Sequence, residues 1–272
     1  MLMIEASHKT DRTIKRYDRS MESAERQRLV LDRLREAGRV EVADLARETR
    51  CSVITIRRDL DQLARVGALR RVRGGAVSSG LRGEGLPFAM RASENAEGKG
   101  RLAAVAADLI SDGEAVGLDS GTTAVAVARA LFSRRVTVMP MSVQGIGVLS
   151  TSATASVVVP GGTVHPTEGS LSGPLLEAAF ARTRLDTAVL SCCGAAEAAG
   201  VTAFDFADAA AKQAMMRSAN RTILVAEAAK FALTAMAVVC PLTDFDVIVT
   251  EQSAPRQLLQ TLEDAGAEVH LV

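Results

Sequence analysis

The chain has 272 residues, 48% of them hydrophobic and 24% charged, which excludes global disorder and allows one large domain or two ordinary ones. The apolar share is Ala, Val and Leu, with no Trp and one Tyr, a composition suited to short parallel strands between Ala-rich helices rather than a β-sandwich. A formal net charge of zero conceals an asymmetry: residues 1–78 hold 18 Lys and Arg against 12 Asp and Glu, and the rest hold 14 against 20, so a basic module suited to a polyanion precedes a mildly acidic one.

Residues 1–21 form a polar lead-in without hydrophobic period, expected to be disordered. A small domain follows over 22–78. Val30, Leu31, Leu34 and Ala37 mark one stripe of a helix from Glu22 to Gly38, with Gly38 as C-cap. Val40–Val42 links it to a second helix, Ala43–Glu48; Ser52 then caps a third, Val53–Val66, which Gly67 stops. Leu69–Val77 alternates across a Gly-Gly turn as a hairpin. Residues 41–60 have the dimensions of a helix-turn-helix. On the third helix Val53, Ile56, Leu60 and Leu63 share one face and are expected in the core. Ile54, Thr55, Arg58, Gln62 and Arg65 lie opposite, with Arg57 on the flank. A recognition helix enters the major groove by its N-terminal end, which makes Ser52, Thr55, Arg57 and Arg58 the candidate DNA contacts. Arg70, Arg71 and Arg73 on the hairpin are placed to meet the DNA backbone as a wing. The same pattern also fits a helical bundle with a solvated arginine face.

Residues 79–91, rich in Ser and Gly at their start, read as a linker. Over 92–272 a helix at Ala92–Ile110 precedes short apolar runs at Ala115–Leu118, Val136–Met139, Ser156–Val159, Thr187–Ser191, Thr222–Ala226 and Val247–Thr250. Helices are expected between them at Thr123–Phe132, Leu175–Ala181, Ala207–Ala219 and Arg256–Gly266. This rhythm predicts a doubly wound, mainly parallel α/β sheet with ligands at the C-terminal strand ends. Leu118–Thr123 leaves a strand and opens a helix. There Gly121 permits close backbone approach and Thr122 and Thr123 supply hydroxyls, the chemistry of a phosphate seat, though an ordinary helix cap has the same residues. No GxxxxGK[ST] sequence occurs, which argues against a nucleotide triphosphatase. Gly161-Gly162 follows a strand, and Lys212 and Lys230 lie near strand ends.

The run SVITIRRDLDQLARVGALRRVRGGAV closely resembles the DeoR family of bacterial regulators, and the likeness covers about residues 24–77. The remainder is similar to that family's sensor domain across about residues 88–250: a DxGTT loop at Asp119–Thr123, Gly161–Gly162, Gly173–Pro174, the Asp205/Asp208/Lys212 helix and Lys230–Phe231. The resemblance implies a winged helix-turn-helix on double-stranded operator DNA and a sensor with the ribose-5-phosphate isomerase fold. It further implies repression relieved by a phosphorylated sugar or polyol, with effector contacts at Asp119, Gly121, Thr122, Thr123, Gly161, Gly162, Asp205, Lys212 and Lys230. The chain departs from the family at Pro140-Met141-Ser142 (commonly TNS), at Gly194–Glu197 (commonly GADG) and at Glu227-Ala228-Ala229 (commonly DSS). Apolar groups there replace polar ones, so a DNA-binding protein with a ligand-free sensor is the alternative, and a phosphosugar isomerase-like enzyme a more remote one.

No enzyme is expected, and no catalytic residue, metal or cofactor. Glu197 lacks an acidic partner for proton transfer, and His8, His165 and His270 lie far apart. Cys51, Cys192, Cys193 and Cys240 form no CxxC pair and read as small hydrophobes in a reducing compartment. No apolar run reaches the roughly 18 residues of a membrane span, and Met1–Ser20 is too polar for a signal peptide. A cytoplasmic homo-oligomer, dimer or tetramer, with no membrane partner is expected, because doubled half-sites multiply DNA specificity.

Overall fold

The computed structural model describes residues 21–65, 67–78 and 88–272. The expected lead-in (apart from Met21), Val66 and residues 79–87 of the expected linker lie outside them. The chain divides into two compact units, residues 1–79 and 80–272.

The first unit runs α1 (Ser23–Ala37), β1 (Arg39–Glu41), α2 (Val42–Thr49), α3 (Val53–Arg65), β2 (Leu69–Val72) and β3 (Gly75–Ser78). Gly38 closes α1 in the left-handed region, its N–H on the Leu34 carbonyl. The Val40–Val42 link is a strand, because β1 pairs antiparallel with β3 and completes the sheet β1-β3-β2. Val30, Leu31, Leu34, Leu45, Ile56, Leu60, Leu63 and Leu69 form the core. Val53, expected there, is 42% exposed. The buried stripe of α3 is instead Ile56, Asp59, Leu60 and Leu63, a tighter i, i+3, i+4, i+7 set. Asp59 tolerates burial because Arg26 of α1 grips it with two bonds, Nε at 2.5 Å and Nη2 at 3.1 Å.

The second unit opens with α4 (Phe88–Ser93), a helix that begins inside the stretch expected as linker, followed by α5 (Ala96–Asp108). The single helix expected over Ala92–Ile110 is broken at Asn95, which adopts φ +46°. Lys99 satisfies the carbonyls freed by the break: its Nζ lies 2.7 Å from both Arg91 O and Glu94 O. The chain continues through β4 (Ala115–Leu118), α6 (Gly121–Ala130), β5 (Thr137–Pro140), α7 (Val143–Leu149), β6 (Ser156–Val157), β7 (Thr163–Val164), β8 (Leu171–Ser172) and α8 (Pro174–Ala181). It then forms β9 (Leu185–Leu190), β10 (Gly194–Ala196), β11 (Gly200–Ala203), α9 (Phe206–Arg217), β12 (Ala219–Ala226) and a 3-10 turn at Ala228–Ala232. Last come β13 (Ala237–Cys240), a 3-10 turn at Leu242–Asp244, β14 (Val247–Thr250), α10 (Arg256–Asp264) and β15 (Glu268–Leu271).

Seven of these strands pair in parallel in the order β15-β14-β12-β9-β4-β5-β6. Alternate residues serve opposite faces, as a doubly wound sheet requires. Val189, Ile223, Val225 and Val249 pack with Leu102 of α5 and Val127 of α6. Leu190, Leu224 and Ile248 pack with Phe180 of α8, Met215 of α9 and Leu259 of α10. Strands β10, β11 and β13 make a side sheet, and β7 pairs with β8. From β4 the order runs outward through β5 to β6, then resumes on the other side of β4 with β9. The C-terminal ends of β4 and β9 therefore flank the topological switch point, where a doubly wound sheet opens a crevice.

Candidate functional site

In the first unit, the start of α3 is held by Ser52, whose Oγ accepts the Thr55 N–H at 3.1 Å and lies 2.9 Å from Thr55 Oγ1. The two hydroxyls expected to meet DNA are thus engaged with each other as a cap. Arg57 and Arg58 are exposed, and their guanidinium groups have no hydrogen bond or ion pair among the described residues. Arg71 behaves otherwise: its Nε pairs with Asp61 at 3.0 Å and its Nη1 donates to Gly75 O at 3.3 Å, so it braces the hairpin on α3. The exposed wing arginines are Arg70 and Arg73.

In the second unit, the loop after β4 leads into α6 at the switch point. Gly121 takes φ +87°, and a Cβ there would meet Ser191 Oγ at 3.7 Å and Arg91 Nη1 at 3.9 Å. The loop, the end of β9 and Arg91 therefore line one space. Arg91 is ion-paired with Glu168. Ser120, the N-cap of α6, makes no side-chain cap bond. Among the described residues the hydroxyls of Thr122 and Thr123 likewise have no partner, although both residues are largely buried. The start of α6 thus retains uncapped N–H groups and three uncommitted hydroxyls. Thr122 also lines a cavity of about 120 Å³ with Phe88, Arg129 and Gln144, between α4, α6 and α7.

Asp119 and Lys212, expected at the ligand, are committed to each other. The Lys212 ammonium lies 2.6 Å and 2.5 Å from the two oxygens of Asp119 and 3.6 Å from Asp208, with all three side chains buried. Asp119 also accepts the Ser191 N–H at 2.8 Å and lies 3.0 Å from Ser191 Oγ, which ties β4 to β9. Burial pushes the Asp208 carboxyl up to about 6 against the pull of Lys212. Burial also works to lower Lys212, but the two carboxylates outweigh it and hold its pKa above the ordinary value. Desolvation accounts for the pairing: a lysine this deep is held charged by internal carboxylates. Asp205 caps α9, accepting the Asp208 N–H at 2.7 Å. Gly162 is required by the chain itself, since a Cβ at its φ of +111° would come within 2.6 Å of Ser172 O in β8. Gly161, at φ +81°, has open space in the Cβ direction.

Lys230, in the turn after β12, is half-buried, and its ammonium has no hydrogen bond or ion pair among the described residues. It lies near Cys192 and Cys193, where it opposes the effect of burial; burial prevails, pushing Cys192 up to about 12 and raising Cys193. Both thiols stay protonated at neutral pH. Behind Lys230, Asn95 Nδ2 donates to Glu227 at 2.8 Å and to Glu251 at 3.0 Å, and Lys99 lies 3.7 Å from Glu227. Sequence reasoning missed Arg91, Ser191 and Lys99. Ser191 had a signal, the first position after an apolar strand; Arg91 and Lys99 had none. Among the described residues no group of His, Cys, Asp and Glu could hold a metal ion, and no helix is long and apolar enough to cross a membrane.

Known proteins share both units. Residues 26–80 match the family model of the DeoR-like helix-turn-helix domain, and residues 94–252 match that of the DeoR C terminal sensor domain. Transcriptional repressor AccR of Agrobacterium fabrum is 32% identical over 88% of this chain and 93% of its own length. The L-fucose operon activator of Haemophilus influenzae is 30% identical over 88% of this chain and 96% of its own. The glycerol-3-phosphate regulon repressor of Escherichia coli is 26% identical over 92% of this chain and all of its own.

Proposed function

The chain belongs to the DeoR family of transcriptional regulators, and on that premise we propose that it represses genes by binding an operator through α3 and the wing, and is released by a phosphorylated sugar or polyol. The effector reading rests on one observation: α6 begins at the switch point with an uncapped N-terminus and the uncommitted hydroxyls of Ser120, Thr122 and Thr123. An anion bound there is offset by Lys230 and by Arg91, which would exchange Glu168 for the ligand. Lys212 acts one step back, holding Asp119 and with it the loop. A relative named for glycerol-3-phosphate fits an effector of this class. The apolar Ala196 and Ala228, where the family commonly has polar groups, favour a ligand with few hydroxyls away from the phosphate.

The proposed repressor is a homo-oligomer, since one helix and wing read a single short half-site. Effector binding need bias its DNA-competent arrangement by only about 1–3 kcal/mol to change occupancy 5–150-fold. No catalytic step belongs to this reading: Glu197 is exposed in the β10–β11 turn, and Asp119 is neutralised by Lys212. Thermal-shift measurements with sugar and polyol phosphates test it, because a ligand of the folded state raises its melting temperature. At least one phosphate ester should stabilise the protein and release DNA, while its dephosphorylated form does neither. Thr123→Val and Lys230→Met should each weaken that ester by about 1.5–3 kcal/mol. If no phosphorylated compound shifts the melting, the sensor unit is ligand-free; a reporter gene that falls silent without the protein would reverse the sign of regulation.

A further inference from the structure

Two β-branched apolar side chains stand in solvent at the start of α3: Val53 is 42% exposed and Ile54 66%. Isolated exposed apolar residues are ordinary on protein surfaces, but these occupy a restricted position. Ile54 lies three and four residues before Arg57 and Arg58, and so shares their face of the helix. Neither β-branched residue is favoured in a helix by intrinsic propensity, and Ile54 gains no core packing in return. The neighbouring hydroxyls, Ser52 and Thr55, are occupied with each other at 2.9 Å. The uncommitted groups at the leading end of the helix are therefore two guanidinium forks and an aliphatic surface.

We propose that Ile54 is a specificity-determining residue that reads thymine through its C5-methyl group, with Val53 extending the same apolar surface. The inference rests on α3 being the helix that enters the major groove. The thymine methyl is the apolar feature a base pair presents in that groove, and an aliphatic side chain against it removes both from water. A cytosine at the same place carries only a hydrogen on C5, so the apolar surface that Ile54 buries against thymine is missing. Arg57 and Arg58 can fork onto guanine or clamp phosphate, but neither discriminates thymine from uracil. That distinction belongs to an apolar contact alone.

The experiment uses the full-length chain and a random duplex library, from which bound sites are selected and sequenced. Each thymine of the selected site is then replaced in turn by deoxyuridine, which deletes only the methyl group. Wild-type protein should lose roughly fourfold affinity per half-site at one thymine, the worth of about one buried methyl. Ile54→Ala should bind thymine and uracil equally there and select a site degenerate at that position, with an unchanged melting temperature. Ile54→Val should restore the preference. If Ile54→Ala keeps the wild-type uracil penalty, or wild type shows none, the inference is overturned. Arg57→Ala and Arg58→Ala, run in parallel, separate the two levels. If they abolish selection while Ile54→Ala changes nothing, the methyl contact alone fails; if they too bind as wild type, α3 is not the reading helix.

Discussion

The ammonium of Lys212 meets both carboxylate oxygens of Asp119, at 2.6 Å and 2.5 Å, across 93 positions of sequence. The pair is buried, and Asp208 stands beside it. Lys212→Met removes the cation and leaves two carboxylates in a desolvated site, at a cost of about 3–5 kcal/mol. The denaturant midpoint should fall accordingly. Wild-type stability together with a lost effector response would instead return Lys212 to direct ligand binding.

Asp208 makes the fold sensitive to pH. Its carboxyl is raised by burial from 3.8 to about 6, so the folded state binds the proton more tightly than the unfolded chain. Its stabilising contribution is therefore complete below about pH 4 and is lost as pH rises through 6. Denaturation of wild type and Asp208→Asn across this range should show the variant gaining on wild type toward neutral pH. A constant difference between them would contradict the shift.

Arg57→Ala and Arg58→Ala should each weaken operator binding by about 1–3 kcal/mol per half-site. Both side chains are exposed and outside the Ile56/Asp59/Leu60/Leu63 stripe, so melting temperature should not move. Gel-shift titration beside a melting curve checks both halves of the statement.

The wing arginines should separate by salt dependence. Affinity falls linearly on logarithmic axes, with a slope near −0.9 per neutralised phosphate. Arg73→Ala should flatten the slope by about one unit. Arg71→Ala should flatten it less, because Asp61 already holds that guanidinium. An equal or larger change at Arg71 would show that it leaves Asp61 for DNA.

What could be read in the sequence was local and periodic. The buried strands β4 and β14 and the Ile223–Ala226 half of β12 are largely apolar runs, and the third helix carries a strong stripe bounded by Ser52 and Gly67. What could not be read depends on partners far along the chain. Asp59 fits a core stripe only because Arg26 lies 33 positions upstream, so Val53 was the natural misassignment. Lys212 carries no mark in its own helix of the carboxylate it meets. The side-sheet strands Gly194–Ala196 and Gly200–Ala203 are built from small residues without alternation. The break at Asn95 has no Gly or Pro beside it, and the partners of the Asn95 side chain, Glu227 and Glu251, lie 132 and 156 positions further along.

The strand order also says something about assembly. Strands β4, β5 and β6 are consecutive neighbours, and so are β9, β12, β14 and β15 once the side sheet is set apart. Each half can form through short loop closures, whereas β4 against β9 joins segments about 70 residues apart and closes a much longer loop. The crevice lies on that seam: Asp119 and the start of α6 come from one half, Ser191 and Lys212 from the other. Neither half alone offers a complete seat. A ligand that bridges them would act on the docked pair, slowing the separation of the halves more than the formation of either.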